Sequence, residues 1–396
     1  MNFIVVFGGL SYEHEISIVS AIALKKELSN IAHFIFIDAQ NDAYLIPRES
    51  MTSKHFSTSA YKKDAQVSFT KGGFLRKGLF KSEILSGVVI NLIHGKSGED
   101  GQIAGLLDFY NIAYIGPRIE ACAISFSKEL TKSYAKSRGV KVLDYQILKR
   151  DSRRDSRESG VDFSDSGADL SDSSEDSQNL GADSRDLGSD SQDSKQSPKS
   201  RCESRFTFPC IVKPSHLGSS IGIEIAKESD DLPYALDCAF EYDNSVIVEP
   251  FIPHIREFNV AGCKVGDEFI FSIIEEVKKD EFFAFEDKYL DFQGGGKKKA
   301  ADLSDEISAK IQEIFIAIYE NCFEGALIRC DFFMQSVNGV DEIYLNEINP
   351  IPGSLAYYLF DDFGGAIRAL AQNLPKERKI PIKYNYISKI QAQKGK

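Results

Sequence analysis

Leu327 to Leu359 reads LIRCDFFMQSVNGVDEIYLNEINPIPGSLAYYL, and Asn338-Gly339 at its centre decides what the stretch becomes. Asn-Gly between two strand-like runs is the strongest short-range signal for a β-hairpin, because both residues accept the positive φ of a two-residue turn. Side chains alternate faces along a strand, so Arg329 and Asp331 share one face, and Glu347 and Asn349 share a face of the second strand. About eight residues flank the turn on each side, which brings the two pairs opposite one another to within one residue of register. Asp331, Glu347 and Asn349 are all oxygen donors, the kind magnesium takes together with water and substrate phosphates. A polar outer face of a half-buried hairpin has the same spacing. Apolar packing around the acids (Ile328, Cys330, Phe332, Leu345, Ile348) and the following Pro350, Pro352 and Gly353 favour a displayed metal patch.

With 396 residues the chain is long enough for two or three domains. A 42% hydrophobic and 27% charged composition is that of a soluble globular protein. The net charge is −12, of which residues 151–205 supply 8 Lys+Arg against 14 Asp+Glu, a net of −6. The balance on the remaining residues is unremarkable and argues against a nucleic-acid partner. Seven scattered cysteines without a CxxC pair suit reduced thiols better than a disulfide framework or a zinc site. MNFIVVFGG lacks the basic start of a signal peptide, and no apolar run is long enough for a membrane span. The expected setting is the cytoplasm.

The chain opens with FIVVF (3–7) and Gly8-Gly9, a buried strand entering a tight turn, followed by a helix whose first turn holds Glu13, His14 and Glu15. HFIFID (33–38) is a second strand, so the opening reads as a small doubly wound domain with ligands at its strand ends. Residues 40–82 are mixed and give no clear pattern. GVVINLI (87–93) delivers His94 into the loop GKSGEDG, whose glycines permit close approach of a ligand. Gly95-Lys96-Ser97 is not a Walker A motif, because Ile90 stands where that motif needs glycine. One helix is expected from about Ile119 to Ser137, carrying Lys128.

Residues 151–205 are dominated by Asp and Ser and contain almost nothing apolar, so they read as a low-complexity insertion without a core. FPCIVKP (208–214) is then a strand ending near Lys213, and SHLGSSIG (215–222) a glycine-flanked flap whose N–H groups suit phosphates. SVIVEP (245–250) is a strand with Glu249 at its mouth. Phe251 and Ile252 follow, then Glu257, an arrangement suited to an adenine edge and a ribose. Paired surface acids would read the same. GGGKKKAAD (294–302) has the composition of a lid near phosphates. Residues 305–322 form an amphipathic helix leading into the hairpin.

Together GGLSYEHEIS (8–17), LIHGKSGEDGQIAGLLD (92–108), SKELTK (127–132), IVKPSHLGSSIG (211–222), IVEPF (247–251), EDKYL (286–290), LIRCDFF (327–333) and YLNEINPIPG (344–353) resemble the D-alanine–D-alanine ligase family of the ATP-grasp superfamily. The match runs in family order along nearly the whole chain. It implies an α/β (α+β) architecture, an ATP-grasp fold preceded by a small doubly wound parallel-sheet domain. The implied spans are 1–116 for substrate binding, 117–253 for the central lid domain with the insertion, and 254–396 for the catalytic domain.

The resemblance also implies chemistry. ATP phosphorylates one D-alanine, and the amine of a second attacks the D-alanyl phosphate. Two Mg²⁺ ions, with Mn²⁺ as a substitute, would sit on Asp331, Glu347 and Asn349. Lys128, Lys213 and Lys288 would contact phosphates. Arg329 would stabilise the acyl-phosphate and the oxyanion, to which Gly353 offers its N–H. Glu13 and His94 would grip the first D-alanine, with Ser219 and Tyr289 hydrogen-bonded to Glu13 to close the site. Glu249, Phe251, Ile252 and Glu257 would line the nucleotide pocket, and Tyr358 and Leu359 would meet the second substrate. The family expectation is a homodimer.

Three departures from the family pattern stand out: the loop DFQGGGKKKAAD after Tyr289, Tyr358 where a serine is usual, and the 151–205 insertion in place of a short connector. Tyr289 resembles the D-alanine-specific members, against the alternative of a D-alanine–D-lactate ligase. A nucleotide-binding regulator with a Ser/Asp arm is the reading from another class.

Overall fold

The computed structural model describes residues 1–78, 81–150, 206–277 and 299–376, with 381, 382, 384 and 387 besides. The Ser/Asp-rich segment 151–205, and the loop bearing Lys288 and Tyr289, lie outside the described residues.

Among the described residues three sheets follow one another along the chain. The first has eight strands, β1 (Phe3–Gly8), β2 (Ile31–Ile37), β3 (Ala43–Ile46), β4 (Ala65–Thr70), β5 (Gly73–Arg76), β6 (Glu83–Leu85), β7 (Val88–Asn91) and β8 (Tyr114–Ile115). Their order is β6-β5-β4-β3-β2-β1-β7-β8. β2, β1, β7 and β8 pair in parallel, as the buried run FIVVF and the helix His14–Glu27 that follows it require. Residues 40–82, silent in the sequence, extend this sheet as an antiparallel meander.

The second sheet, ordered β11-β10-β12-β9, contains β9 (Gln146–Lys149), β10 (Cys210–Pro214), β11 (Glu224–Ala226) and β12 (Ser245–Pro250). The helix Leu232–Phe240 closes its core through Leu232, Leu236 and Phe240. β10 and β11 pair antiparallel and carry the flap 215–222 between them.

The third sheet holds β13 (Arg256–Val265), β14 (Glu268–Phe271), β15 (Glu275–Val277), β16 (Ile328–Val337) and β17 (Val340–Asn349). The helix Asp305–Tyr319, capped by Ser304, packs Ile311, Phe315 and Ile318 on it. A further core joins Phe3, Val5 and Phe7 of the first sheet to Leu355, Leu359, Phe363 and Ile367 near the chain's end. That junction sets the first helix against the segment Gly353–Leu359.

One expected element divides. The helix expected over about 119–137 is two, Ile119–Phe126 and Lys128–Ser137, because Ser127 adopts an extended backbone (φ −98°, ψ 117°) and caps the second through Leu130 N–H. Lys128 thereby becomes the first residue of a helix and is aimed at the flap.

Candidate active site

The hairpin forms in the expected register. Arg329 lies opposite Asn349 and Asp331 opposite Glu347, with a bulge just beyond Asp331. Asn338 and Gly339 have φ of 53° and 79°, as the two-residue turn demands. β13 lies along the other side of β16 and adds Asn259 opposite Asp331 and Glu257 opposite Phe333. The face built at this register therefore carries Glu257, Asn259, Arg329, Asp331, Glu347 and Asn349.

Asp331 is 4% exposed. Both its oxygens accept from Arg329, Nε at 2.7 Å and Nη2 at 2.8 Å, and the Asn349 amide donates at 3.0 Å. Burial pushes the Asp331 carboxyl up and the guanidinium opposes it, while that pairing raises Arg329 well above its usual value against its own desolvation. Two carboxylates and an amide suit a hard divalent cation. Among the described residues no three carboxylate, histidine or cysteine side chains form such a group.

The second cluster holds cations. Glu249, 3% exposed, takes Lys213 Nζ at 2.7 Å on one oxygen and Lys132 Nζ at 2.5 Å on the other. Burial alone would raise its carboxyl, but Lys213 and Lys132 together hold it at about 2. Lys132 was not among the expected site residues. Its signal, SKELTK, looks like any helix surface, and its partner lies far along the chain. The Glu249 carboxylate, expected to face an adenine, is thus engaged by two lysines. Lys128 donates from Nζ to the Leu217 carbonyl at 2.5 Å and from its backbone N–H to Ser215 O at 3.0 Å. Burial lowers its pKa, and the charges of Glu347, Lys213, Glu249 and Glu13 all reach it.

The third cluster lies at the ends of β1 and β7. Glu13 is 7% exposed and its carboxylate accepts the Ser219 hydroxyl across the gap between two sheets. Burial and Glu99 raise its pKa. Gly95 has φ +68°, which disfavours any side chain, and a Cβ there would stand 2.7 Å from a Glu13 oxygen and displace that carboxylate. Ser11 ties the pair together, donating to His94 O at 2.7 Å and accepting from Glu13 N–H at 3.1 Å.

His94 is buried, which drives its pKa down to about 4, and Glu99, 3.7 Å from its Nδ1, is pushed up to about 8 by the same cause. Burial thus favours the neutral form of both groups. Ser20 is a second residue missed in the sequence. Its hydroxyl meets His94 Nε2 at 3.2 Å and accepts Ser354 N–H at 2.9 Å, joining the histidine to the loop after the hairpin. The available signal was only a serine among the apolar residues of the first helix.

In that loop Ser354, Leu355 and Ala356 have φ of 51–52°, a left-handed run that non-glycine residues adopt only when their surroundings impose it. Gly353 precedes it, and Tyr358 is within electrostatic reach of Arg329, Glu275 and Asp331. Leu359 buries its side chain in the core and accepts Ile273 N–H at 3.1 Å on its carbonyl. Phe251 donates to Pro209 O at 2.9 Å, and Ile252 follows at the exit of β12.

A cleft lined by Glu99, Lys128, Leu217, Gly218, Glu347 and Asn349 joins the hairpin, the flap and the first sheet. Beside it, sharing Phe126, His216 and Leu217, is a cavity of about 490 Å³ that includes Ser11 and Glu13. Glu13, Lys128, Glu347 and Asn349 thus line these two adjoining spaces, Leu359 turns into the core instead, and Lys288 and Tyr289 lie outside the described residues.

Comparisons with known proteins identify the family. A family profile described as D-ala D-ala ligase N-terminus matches residues 2–117, and one described as D-ala D-ala ligase C-terminus matches 187–364. The chain is 49% identical over 397 residues to a D-alanine--D-alanine ligase of Campylobacter jejuni and 48% identical to one of Wolinella succinogenes, with full coverage of both chains in each case. A crystal structure from Helicobacter pylori described as D-Alanine-D-Alanine Ligase superposes with a TM-score of 0.74 at 42% identity, covering 96% of this chain and all of the other. At 23% identity, the Coxiella burnetii structure described as a D-alanine-D-alanine ligase shares the fold, with a TM-score of 0.68.

Proposed function

The chain belongs to the D-alanine–D-alanine ligase family, and from that premise we propose how its residues divide the family's reaction. The reaction is the ATP-dependent ligation of two D-alanine molecules to D-alanyl-D-alanine, a peptidoglycan precursor.

Glu13 holds the ammonium of the first D-alanine, with neutral His94 beside it. That substrate's carboxylate attacks the γ-phosphate of ATP and ADP leaves. The neutral amine of the second D-alanine then attacks the acyl-phosphate carbonyl, and the tetrahedral intermediate loses a proton from nitrogen and expels inorganic phosphate as the peptide bond forms. Lys128, Lys213 and Lys288 meet the phosphates, while Glu249 fixes Lys213 and Lys132 so that their charges point one way. Phe251, Ile252 and Glu257 line the nucleotide pocket. Arg329 and the Gly353 N–H face charge as it develops on the transferred group and the tetrahedral carbon, where preorganised donors act most strongly. Tyr358 and the backbone at Leu359 meet the second substrate. Ser219 and Tyr289 close over Glu13.

Asp331, Glu347 and Asn349 would hold two Mg²⁺ ions, since two carboxylates and an amide across one hairpin have the right donor chemistry. When bound, the ions would neutralise charge on the ATP phosphates. Arg329 engages both Asp331 oxygens in the present conformation, so that carboxylate has to be shared or released when an ion arrives.

Three domains, 1–116, 117–253 and 254–396, a cytoplasmic setting and a homodimer complete the reading. Among the described residues no helix is long and apolar enough to cross a membrane. The observation that supports the reading is one cleft lined together by Lys128, Gly218 of the flap, Glu99 of the first sheet's loop, and Glu347 and Asn349 of the hairpin.

The test is turnover with D-alanine as the sole amino acid. Phosphate release with ATP and Mg²⁺, and D-alanyl-D-alanine identified by mass, is expected. Release only after D-lactate is added would replace the second substrate, and nucleotide binding without turnover would remove the enzymatic reading.

A further inference from the structure

We propose that Tyr242, through its edge-on contact with Tyr12, is a positioning residue that holds the flap 215–222 closed over Glu13. The proposal rests on the assignment of Glu13 and Ser219 to the first D-alanine.

The observations meet at the turn between the helix Leu232–Phe240 and β12. Asp243 Oδ2 accepts the backbone N–H of His216 at 2.7 Å and lies 2.9 Å from its Nδ1, which fixes where the flap begins. At the flap's other end Gly222 has φ +69°, and a Cβ there would stand 2.7 Å from Tyr242 Cδ2. The Tyr242 ring therefore lies against Gly222. It also meets the Tyr12 ring, with centroids 5.5 Å apart and planes at 78°. Tyr12 precedes Glu13, whose carboxylate accepts the Ser219 hydroxyl from the middle of the flap. One turn of the second sheet thus holds both ends of the flap and reaches the loop that carries Glu13.

Neither ring serves a core, since Tyr12 is 64% exposed and Tyr242 39%. A large ring on an exposed loop, paired edge-to-face with a ring from another sheet, is a contact that forms when the two elements meet. Both rings line the cavity of about 490 Å³ that has Glu13 on its wall. Closure of such a flap is an equilibrium, and a contact made only in the closed form shifts it by that contact's own strength.

The experiment compares Tyr12→Ala, Tyr242→Ala, the double variant, and Tyr12→Phe and Tyr242→Phe in the full chain. An edge-to-face pair corresponds to a threefold to tenfold shift, roughly. Each alanine variant should raise KM for the first D-alanine by about that factor, with KM for ATP and Tm nearly unchanged. The phenylalanine variants should match wild type, and the double variant should be no worse than the worse single one. KM for D-alanine within about twofold of wild type in both alanine variants, or additive effects in the double variant, would overturn the proposal. Glu13→Gln separates the two readings. If it raises that KM and the tyrosine variants do not, the clasp fails alone; if it too leaves KM unchanged, the assignment of Glu13 fails.

Discussion

Lys132 and Glu249 form an ion pair at 2.5 Å in which both side chains are at most 3% exposed, and Lys213 closes on the other Glu249 oxygen. A buried charge is tolerable only while it is matched, so removing the acid strands two ammonium groups. Glu249→Gln is expected to destabilise the protein by about 3–5 kcal/mol, read from the urea midpoint. Lys132→Met should cost less, because Glu249 keeps Lys213. A glutamine variant as stable as wild type would show that the lysines do not depend on this carboxylate.

The same triad gives a pH dependence with a definite sign. Glu249 sits at about 2 in the folded chain against an ordinary value of 4.5. Between those values the unfolded state binds the proton and the folded state does not, so stability rises with pH across that window. The contribution is fully present above pH 4.5 and lost as pH falls toward 2, up to roughly 3 kcal/mol from this group. Urea midpoints for wild type and Glu249→Gln between about pH 6 and 3 should converge on acidification. Parallel curves would show that another group governs the acid limb.

The hairpin was legible because its information is local: an Asn-Gly turn fixes register, and register fixes which side chains share a face. His94 and Lys213 drew notice for a related reason, since each stands near the end of a buried run, whereas Glu13 in a helix's first turn was singled out only by the resemblance. Lys132 and Ser20 were not, because a lysine or serine on a helix becomes special only through a partner from another part of the chain. The break at Ser127 was hidden by apolar spacing that continues across it. Residues 40–82 gave no reading because their strands are only four to six residues long and lack a clean apolar–polar alternation. The face of β13, with Asn259 beside Asp331, depends on which strand lies next to β16, and that is set by the sheet rather than by the segment.

Arg329 presents two nitrogens to Asp331 from one planar group. Lysine keeps the charge but has no planar fork, so Arg329→Lys removes the geometry alone. If Arg329 faces charge that develops during transfer, kcat should fall by about 10²- to 10³-fold with a smaller change in KM. Stopped-time phosphate release measures both. An unchanged kcat would assign Arg329 to holding Asp331 in place.

Glu347 lies opposite Asp331 and lines the cleft with Lys128 and Asn349. Glu347→Gln keeps the shape and removes one negative charge from the proposed metal patch. Turnover should be abolished while ATP-independent stability changes little, since this side chain is not part of a core. Activity near wild type at saturating Mg²⁺ would refute its assignment as a ligand.

The insertion offers the last test, and the sheet sets its terms. β9 and β10 flank β12 and both run antiparallel to it, so they are parallel to each other. Lys149 at the end of β9 pairs with Ser245, whereas Cys210 at the start of β10 pairs with Pro250 at the far end of β12. The connection must therefore travel the length of β12 and cross two strand spacings, roughly 20 Å in all. Joining residue 150 directly to 206 leaves six steps from Lys149 to Cys210, about 20 Å only when fully extended, and would pull Phe206, 9% exposed, out of its core. A linker of about ten Gly/Ser residues spans the distance without strain. Replacing 151–205 by such a linker should leave kcat and Tm close to wild type, while the direct join should lower Tm. A large loss of kcat with the long linker would show that the Ser/Asp-rich segment takes part in turnover.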